Sequence, residues 1–223
     1  MADLFDVYPE LRELMDTVCA GRSWCVTGAS AMVSDGGSFW FELAKPRHWR
    51  QEADGTPVVG MGAIGGSLEC GESVLDCLDR EMMEEIGVSG RVESAGLTYL
   101  VYEESRIETL SLPQRELPVP MLLTVSANLF RQEMLPECEI LAIVTFAVHI
   151  DRLPRMNDLY GLLRVPTDAL PALLRDDVVP LRDLLQMDGV DLTVREALPD
   201  PCLLSPVWTV RSLQLLLCAG YLT

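Results

Sequence analysis

Apolar residues at Leu4, Val7, Leu11, Leu14, Met15 and Val18 recur at helical spacing with acidic and basic residues between them. The first twenty residues are therefore predicted to form an amphipathic helix, ended at Gly21. The period then changes. Trp24–Val33 and Ser38–Leu43 flank Ser34-Asp35-Gly36-Gly37, a hairpin pattern whose turn residues tolerate positive φ. After a polar loop from Lys45 to Gly55, Val58–Ile64 reads as a short strand running into Gly65-Gly66. Ser73–Ile86 predicts a helix: Ser73 and Asp76 have capping-box spacing, Leu75, Leu78 and Met82 form the apolar stripe, and Gly87 stands where the helix should stop. Strands are predicted at Leu97–Glu103, Met121–Leu129, Ile140–Ile150 and Leu159–Val165, with an acidic loop, Arg131–Glu139, ahead of Ile140. Beyond Pro166 the patterns are helical, at Asp168–Leu174, Leu181–Met187 and Val207–Leu217. The expected organisation is an N-terminal helix (1–22), an α/β domain (23–165) and a C-terminal helical extension (166–223).

Charge narrows the partners. With 17 Lys+Arg against 34 Asp+Glu the formal net charge is −17, and the single lysine is Lys45. Such a chain repels phosphate backbones, so polymeric nucleic acid is not an expected ligand, and any phosphate chemistry calls for a metal. No apolar run reaches membrane-spanning length, and the first residues lack the basic and apolar regions of a signal peptide. The seven cysteines are scattered without a C-x-x-C pair and are read as reduced thiols, giving the expectation of a cytoplasmic protein. The last helix is apolar nearly all around, so it must be buried against its own domain or in a homodimer.

One stretch carries chemistry. In Gly65–Val88, Glu81, Glu84 and Glu85 stand at i, i+3 and i+4, three like charges on one helix face that gain nothing from one another. A solvated acidic face is the common reason for such a cluster. Here Arg80 is placed to brace carboxylates, one turn before Glu84 and two turns beyond Glu72, and two glycines ahead of the helix allow close backbone approach. Hard oxygen donors around an open position suit Mg²⁺ or Mn²⁺.

These residues resemble the Nudix box, G-x5-E-x7-R-E-U-x-E-E-x-G-U with U bulky and aliphatic. The segment fills every fixed position: Gly66, Glu72, Arg80, Glu81, Glu84, Glu85 and Gly87, with Met82 and Val88 at the bulky sites. The resemblance implies a Nudix-type α/β/α sandwich with a mixed sheet. It also implies metal ligation by Glu81, Glu84, Glu85 and the Gly65 carbonyl, an orienting role for Glu72 and Arg80, and hydrolysis of a small-molecule nucleoside diphosphate derivative with Mg²⁺ or Mn²⁺. The general base varies in that family, and Glu137 and Glu139 are candidates. The alternative is a nucleotide-binding or regulatory protein on the same fold without turnover. Arg47, His48, Trp49 and Arg50 are expected to form a solvated loop with one half-buried Trp rather than a phosphate site, and His149 to be a satisfied core residue.

Overall fold

The computed structural model describes residues 3–129 and 137–222. In chain order the elements are α1 (Leu4–Val7), α2 (Pro9–Cys19), β1 (Trp24–Ser34), β2 (Ser38–Leu43), β3 (Arg50–Gln51), β4 (Pro57–Gly62), β5 (Ile64–Ser67), α3 (Val74–Ile86), β6 (Arg91–Glu93), β7 (Thr98–Tyr102), β8 (Arg106–Leu110), β9 (Leu122–Ala127), β10 (Ile140–His149), β11 (Gly161–Pro166), α4 (Leu170–Leu173), β12 (Val179–Pro180), α5 (Leu181–Leu184), β13 (Asp191–Val194), β14 (Leu203–Pro206) and α6 (Trp208–Cys218). The fold class is mixed α/β, with parallel and antiparallel strand pairs. Two interleaved compact units are distinguished: residues 1–31, 65–81 and 92–147, and residues 32–64, 82–91 and 148–223.

The first unit holds a mixed sheet. β9 lies between β10, antiparallel to it, and β7, parallel to it, and β7 and β8 form a hairpin. Alternating apolar residues of these strands, among them Leu100, Leu123, Val125, Ala142, Val144 and Phe146, make the core. The N-terminal helix is broken in two at Tyr8-Pro9, because proline cannot donate to the preceding turn but suits a first helical position. α2 ends at Ala20, which takes the left-handed conformation just before Gly21.

One expectation is corrected here. Cys25 and Cys138 form a disulfide, with Cα atoms 5.7 Å apart. Sequence spacing could not show this, because the pair is 113 residues apart and is brought together by the neighbouring strands β1 and β10. The cysteine part of the argument for a cytoplasmic protein falls with it. Closing so long a loop restricts the unfolded chain strongly, so Cys25→Ser is expected to lower unfolding stability by about 2–4 kcal/mol. Denaturation with and without reductant checks this: reductant should weaken the wild type and leave the variant unchanged.

In the second unit β2 pairs antiparallel with β11 on one side and β4 on the other, β11 pairs with β13, and β14 runs parallel to β4. The C-terminal region thus contains three short strands, β12 to β14, besides its helices. At two to four residues, two of them ending in proline, they are too short to leave a period in the sequence. α6 is buried along Val210, Leu213 and Leu216, and the Val207 side chain before it lies 3.1 Å from where a Cβ on Gly60 of β4 would stand. Its own unit thus covers the face of the helix that carries Val210, Leu213 and Leu216. Among the described residues no helix is long and apolar enough to cross a membrane.

Candidate active site

Helix α3 is built as its sequence predicts. The Ser73 hydroxyl accepts the Asp76 N–H at 3.2 Å and donates to the Asp76 carboxylate at 2.6 Å, fixing the first turn. Cys77, Leu78, Met82 and Ile86 are buried. At the other end Gly87 is left-handed, with φ +67°, but it does not close the helix alone. The backbone N–H groups of Asp158, Asn157 and Arg155 donate to the carbonyls of Glu84, Glu85 and Ile86 at 3.2, 2.8 and 2.9 Å. No spacing in the sequence announces this distant cap, which satisfies the carbonyls that a helix terminus leaves over.

Arg80 is the centre of a polar set. Its Nε donates to Glu72 Oε1 at 2.8 Å and its Nη2 to Glu72 Oε2 at 3.0 Å, a two-bond pairing. Nη1 donates to Glu81 Oε1 at 2.9 Å, and Nη2 also reaches the Ser67 carbonyl at 3.0 Å. The brace between Arg80 and Glu72 is thus formed, and Glu81, adjacent in sequence, is a further partner that helical spacing does not indicate. The Arg80 hydrogen bonds, with the Glu69 N–H, hold the Glu72 carboxyl at about 2, against 4.5 ordinarily, and the two carboxylates raise the Arg80 pKa. Burial pushes the Cys77 thiol up to about 11, so it stays protonated and unreactive at neutral pH.

A depressed carboxyl pKa in the folded state stabilises above the unfolded value, and this contribution is lost as pH falls through the folded one. The Glu72 contribution is therefore complete above about pH 4.5 and disappears toward pH 2. Urea midpoints measured across that window should fall less steeply for Glu72→Gln than for the wild type; equal slopes would contradict the assignment.

The approach to the helix depends on two glycines. Gly65 has φ +146°, and a Cβ there would stand 2.3 Å from the Ala29 carbonyl oxygen, so only glycine fits against β1. A Cβ on Gly66 would stand 2.3–2.7 Å from the Glu81 carboxyl oxygens. Backbone and carboxylate are thus in direct contact, a cradle that a side chain would fill. Glu84 and Glu85 follow Glu81 on the next turn of the same helix. Among the described residues no group of three or more His, Cys, Asp or Glu side chains is already gathered to hold a metal ion. Arg80 pairs Glu72 and Glu81 with a cation of the chain itself. Three glutamates on successive turns, beside a cradle without Cβ atoms, are nevertheless a hard-oxygen donor set of the kind Mg²⁺ and Mn²⁺ take.

Glu137 and Glu139 are placed elsewhere in the same unit. The Ser23 N–H donates to Glu139 Oε2 at 3.1 Å and the Ser23 hydroxyl to the Glu137 carbonyl at 2.5 Å, so both stand at the start of β1. Gly65 lies against Ala29, six residues further along, about 20 Å in an extended strand. The structure brings Glu72, Arg80 and Glu81 together, and it seats Glu137 and Glu139 at Ser23, away from Gly65. Residues 131–136 of the acidic loop, including Glu133, lie outside the described residues. In the second unit Trp49 donates to the Ala44 carbonyl at 2.7 Å and packs edge-on to Tyr160, Arg47 donates to His48, and Arg50 to Ser205. His149 pairs with Asp151 at 3.4 Å.

No family model matches the chain, and no curated protein matches it. Solved structures to which it is similar include a MutT protein from Bacillus halodurans (18% identity, 66% of this chain and 71% of that one, TM-score 0.35). A Nudix hydrolase from Nitrosomonas europaea gives 14% identity over 68% of this chain and 76% of that one, with a TM-score of 0.36. A MutT Nudix hydrolase from Burkholderia pseudomallei gives 12% identity over 87% and 97%, with a TM-score of 0.34.

Proposed function

We propose that this protein hydrolyses a diphosphate linkage in a nucleoside diphosphate derivative, by attack of water at phosphorus, with Mg²⁺ or Mn²⁺ held by Glu81, Glu84, Glu85 and the Gly65 carbonyl. The observation that carries this reading is the Glu72–Arg80–Glu81 ion-pair set seated against Gly66, in which the fixed polar positions on both sides of the helix start act on one another. A solvated acidic face needs neither a two-bond arginine brace nor a glycine cradle.

A divalent ion held there would supply charge neutralisation for the diphosphate and a lowered pKa for the attacking water. The chain supplies the positioning. Arg80 fixes Glu81 while leaving its second oxygen to be shared, and Gly66 lets the main chain close on that carboxylate. The place of Glu139 at Ser23, about 20 Å along β1 from Gly65, supports a carboxylate of α3 as the acceptor of the proton from water. Glu139→Gln is accordingly expected to keep turnover within about twofold of wild type; a loss of about 10²-fold with unchanged Mg²⁺ affinity would make Glu139 the general base instead.

The reading is tested by incubating the purified protein and Mg²⁺ with a panel of nucleoside diphosphate derivatives and following phosphate after a coupling phosphatase. Release from at least one member, abolished by chelator, is expected. Binding of a member without release would favour the non-hydrolysing reading.

A further inference from the structure

The first unit holds a groove of about 790 Å³. Three segments meet in it. β5 runs antiparallel to β1, with Gly65 beside Ala29 and the Leu68 N–H on the Thr27 carbonyl at 3.0 Å. The chain after β5 therefore returns along β1 toward its beginning, and Glu69 and Glu72 form one wall. The N-terminal helices form the other. Phe5 lies 5.2 Å from Trp24, ring centre to ring centre, and Trp24 Nε1 donates to Asp16 at 2.8 Å. The Arg12 guanidinium lies 5.9 Å from the Phe5 ring centre and 6.0 Å from that of Trp24, and its side chain is 49% exposed.

We propose that this groove seats the nucleoside part of the substrate, an assignment that rests on the hydrolase reading above. Its size suits a nucleoside, since ligand cavities span about 300–1,000 Å³. Its chemistry is selective by charge. The carboxylates of Asp3, Asp16, Glu69 and Glu72 outnumber the cations Arg12 and Arg22, so the groove repels a phosphate and favours a neutral ring bearing donor groups. A planar base stacks on the Arg12–Trp24 layer, and the exposed Glu69 carboxylate accepts from ribose hydroxyls or base amino groups. The location agrees, because Glu72 in the wall is held by Arg80, which also holds Glu81. A base in the groove thus stands one ion-pair set away from the carboxylates that would meet the diphosphate, and the N-terminal helices, which lie outside the Gly65–Val88 segment, gain a role in substrate choice.

The test separates this proposal from the hydrolase reading by measuring binding without turnover. Adenosine, guanosine, cytidine and uridine are titrated in the absence of metal while Trp24 fluorescence is followed against a Trp24→Phe control. At least one nucleoside should quench saturably, with affinity reduced about tenfold or more in Arg12→Ala and in Glu69→Ala at unchanged melting temperature. Both residues are exposed, so the variants fold. For a hydrolysed nucleoside diphosphate derivative the same variants should raise KM about tenfold and leave kcat unchanged, whereas hydrolysis of inorganic pyrophosphate, if present, should not respond. Absence of saturable quenching by every nucleoside, or equal affinity in the variants, would overturn the proposal whether or not the protein hydrolyses anything.

Discussion

Glu85→Gln is expected to lower turnover by about 10²–10³-fold or more while the fold stays intact. The substitution preserves size and one acceptor oxygen but removes the charge, and a divalent ion distinguishes an amide from a carboxylate sharply. Loss of one preorganised group that stabilises developing charge costs about this much in other enzymes. Stability should move little, and in the opposite direction. Glu81, Glu84 and Glu85 repel at i, i+3 and i+4, so without metal the melting temperature of Glu85→Gln should match or slightly exceed that of the wild type, by the few tenths of a kcal/mol that such helix pairs contribute. Near wild-type turnover with any active substrate would remove Glu85 from the metal set.

Arg80→Ala should act on stability and turnover together. Its guanidinium makes four hydrogen bonds to Glu72, Glu81 and the Ser67 carbonyl, and the side chains of Arg80, Glu72 and Glu81 are only 23%, 13% and 14% exposed. Truncation strands two largely covered carboxylates beside each other, a loss of about 2–3 kcal/mol after allowance for the solvent that reaches them. Glu81 would no longer be held at the Gly66 cradle, so turnover should fall as well. Arg80→Lys should recover only part of both, because a point charge cannot make the two-bond pairing with Glu72 while also reaching Glu81. An unchanged melting temperature with a rise in KM alone would instead place Arg80 on the substrate.

What the sequence made legible was what repeats or is locally closed. α3 could be read because its cap, apolar stripe and terminal glycine lie within fifteen residues, and β2 because alternation and a glycine turn bound it. The Glu72–Arg80 brace agrees with the spacing of two turns, although Glu72 stands in the turn ahead of α3, whereas the bond from Arg80 to Glu81 was not legible, since neighbours in sequence do not face each other on an ideal helix and only the long guanidinium arm bridges them. The Arg155–Asp158 cap on α3, the parallel pairing of β14 with β4 and the Cys25–Cys138 disulfide are all long-range. Each is set by where the sheet brings distant segments, and none leaves a period or a spacing to read. The position of Glu139 belongs to the same class: this residue, just before β10 in sequence, is carried to the start of β1 by strand pairing, and its carboxylate is taken by the Ser23 amide.

Whether the carboxylates of α3 hold a divalent cation is tested most directly by Mn²⁺ binding followed by electron paramagnetic resonance. The wild type should bind Mn²⁺ and be displaced by Mg²⁺, and Glu84→Gln and Glu85→Gln should each weaken binding by about tenfold or more with unchanged circular dichroism. Wild-type protein that leaves Mn²⁺ free at millimolar concentration, or variants that bind it as the wild type does, would contradict the account.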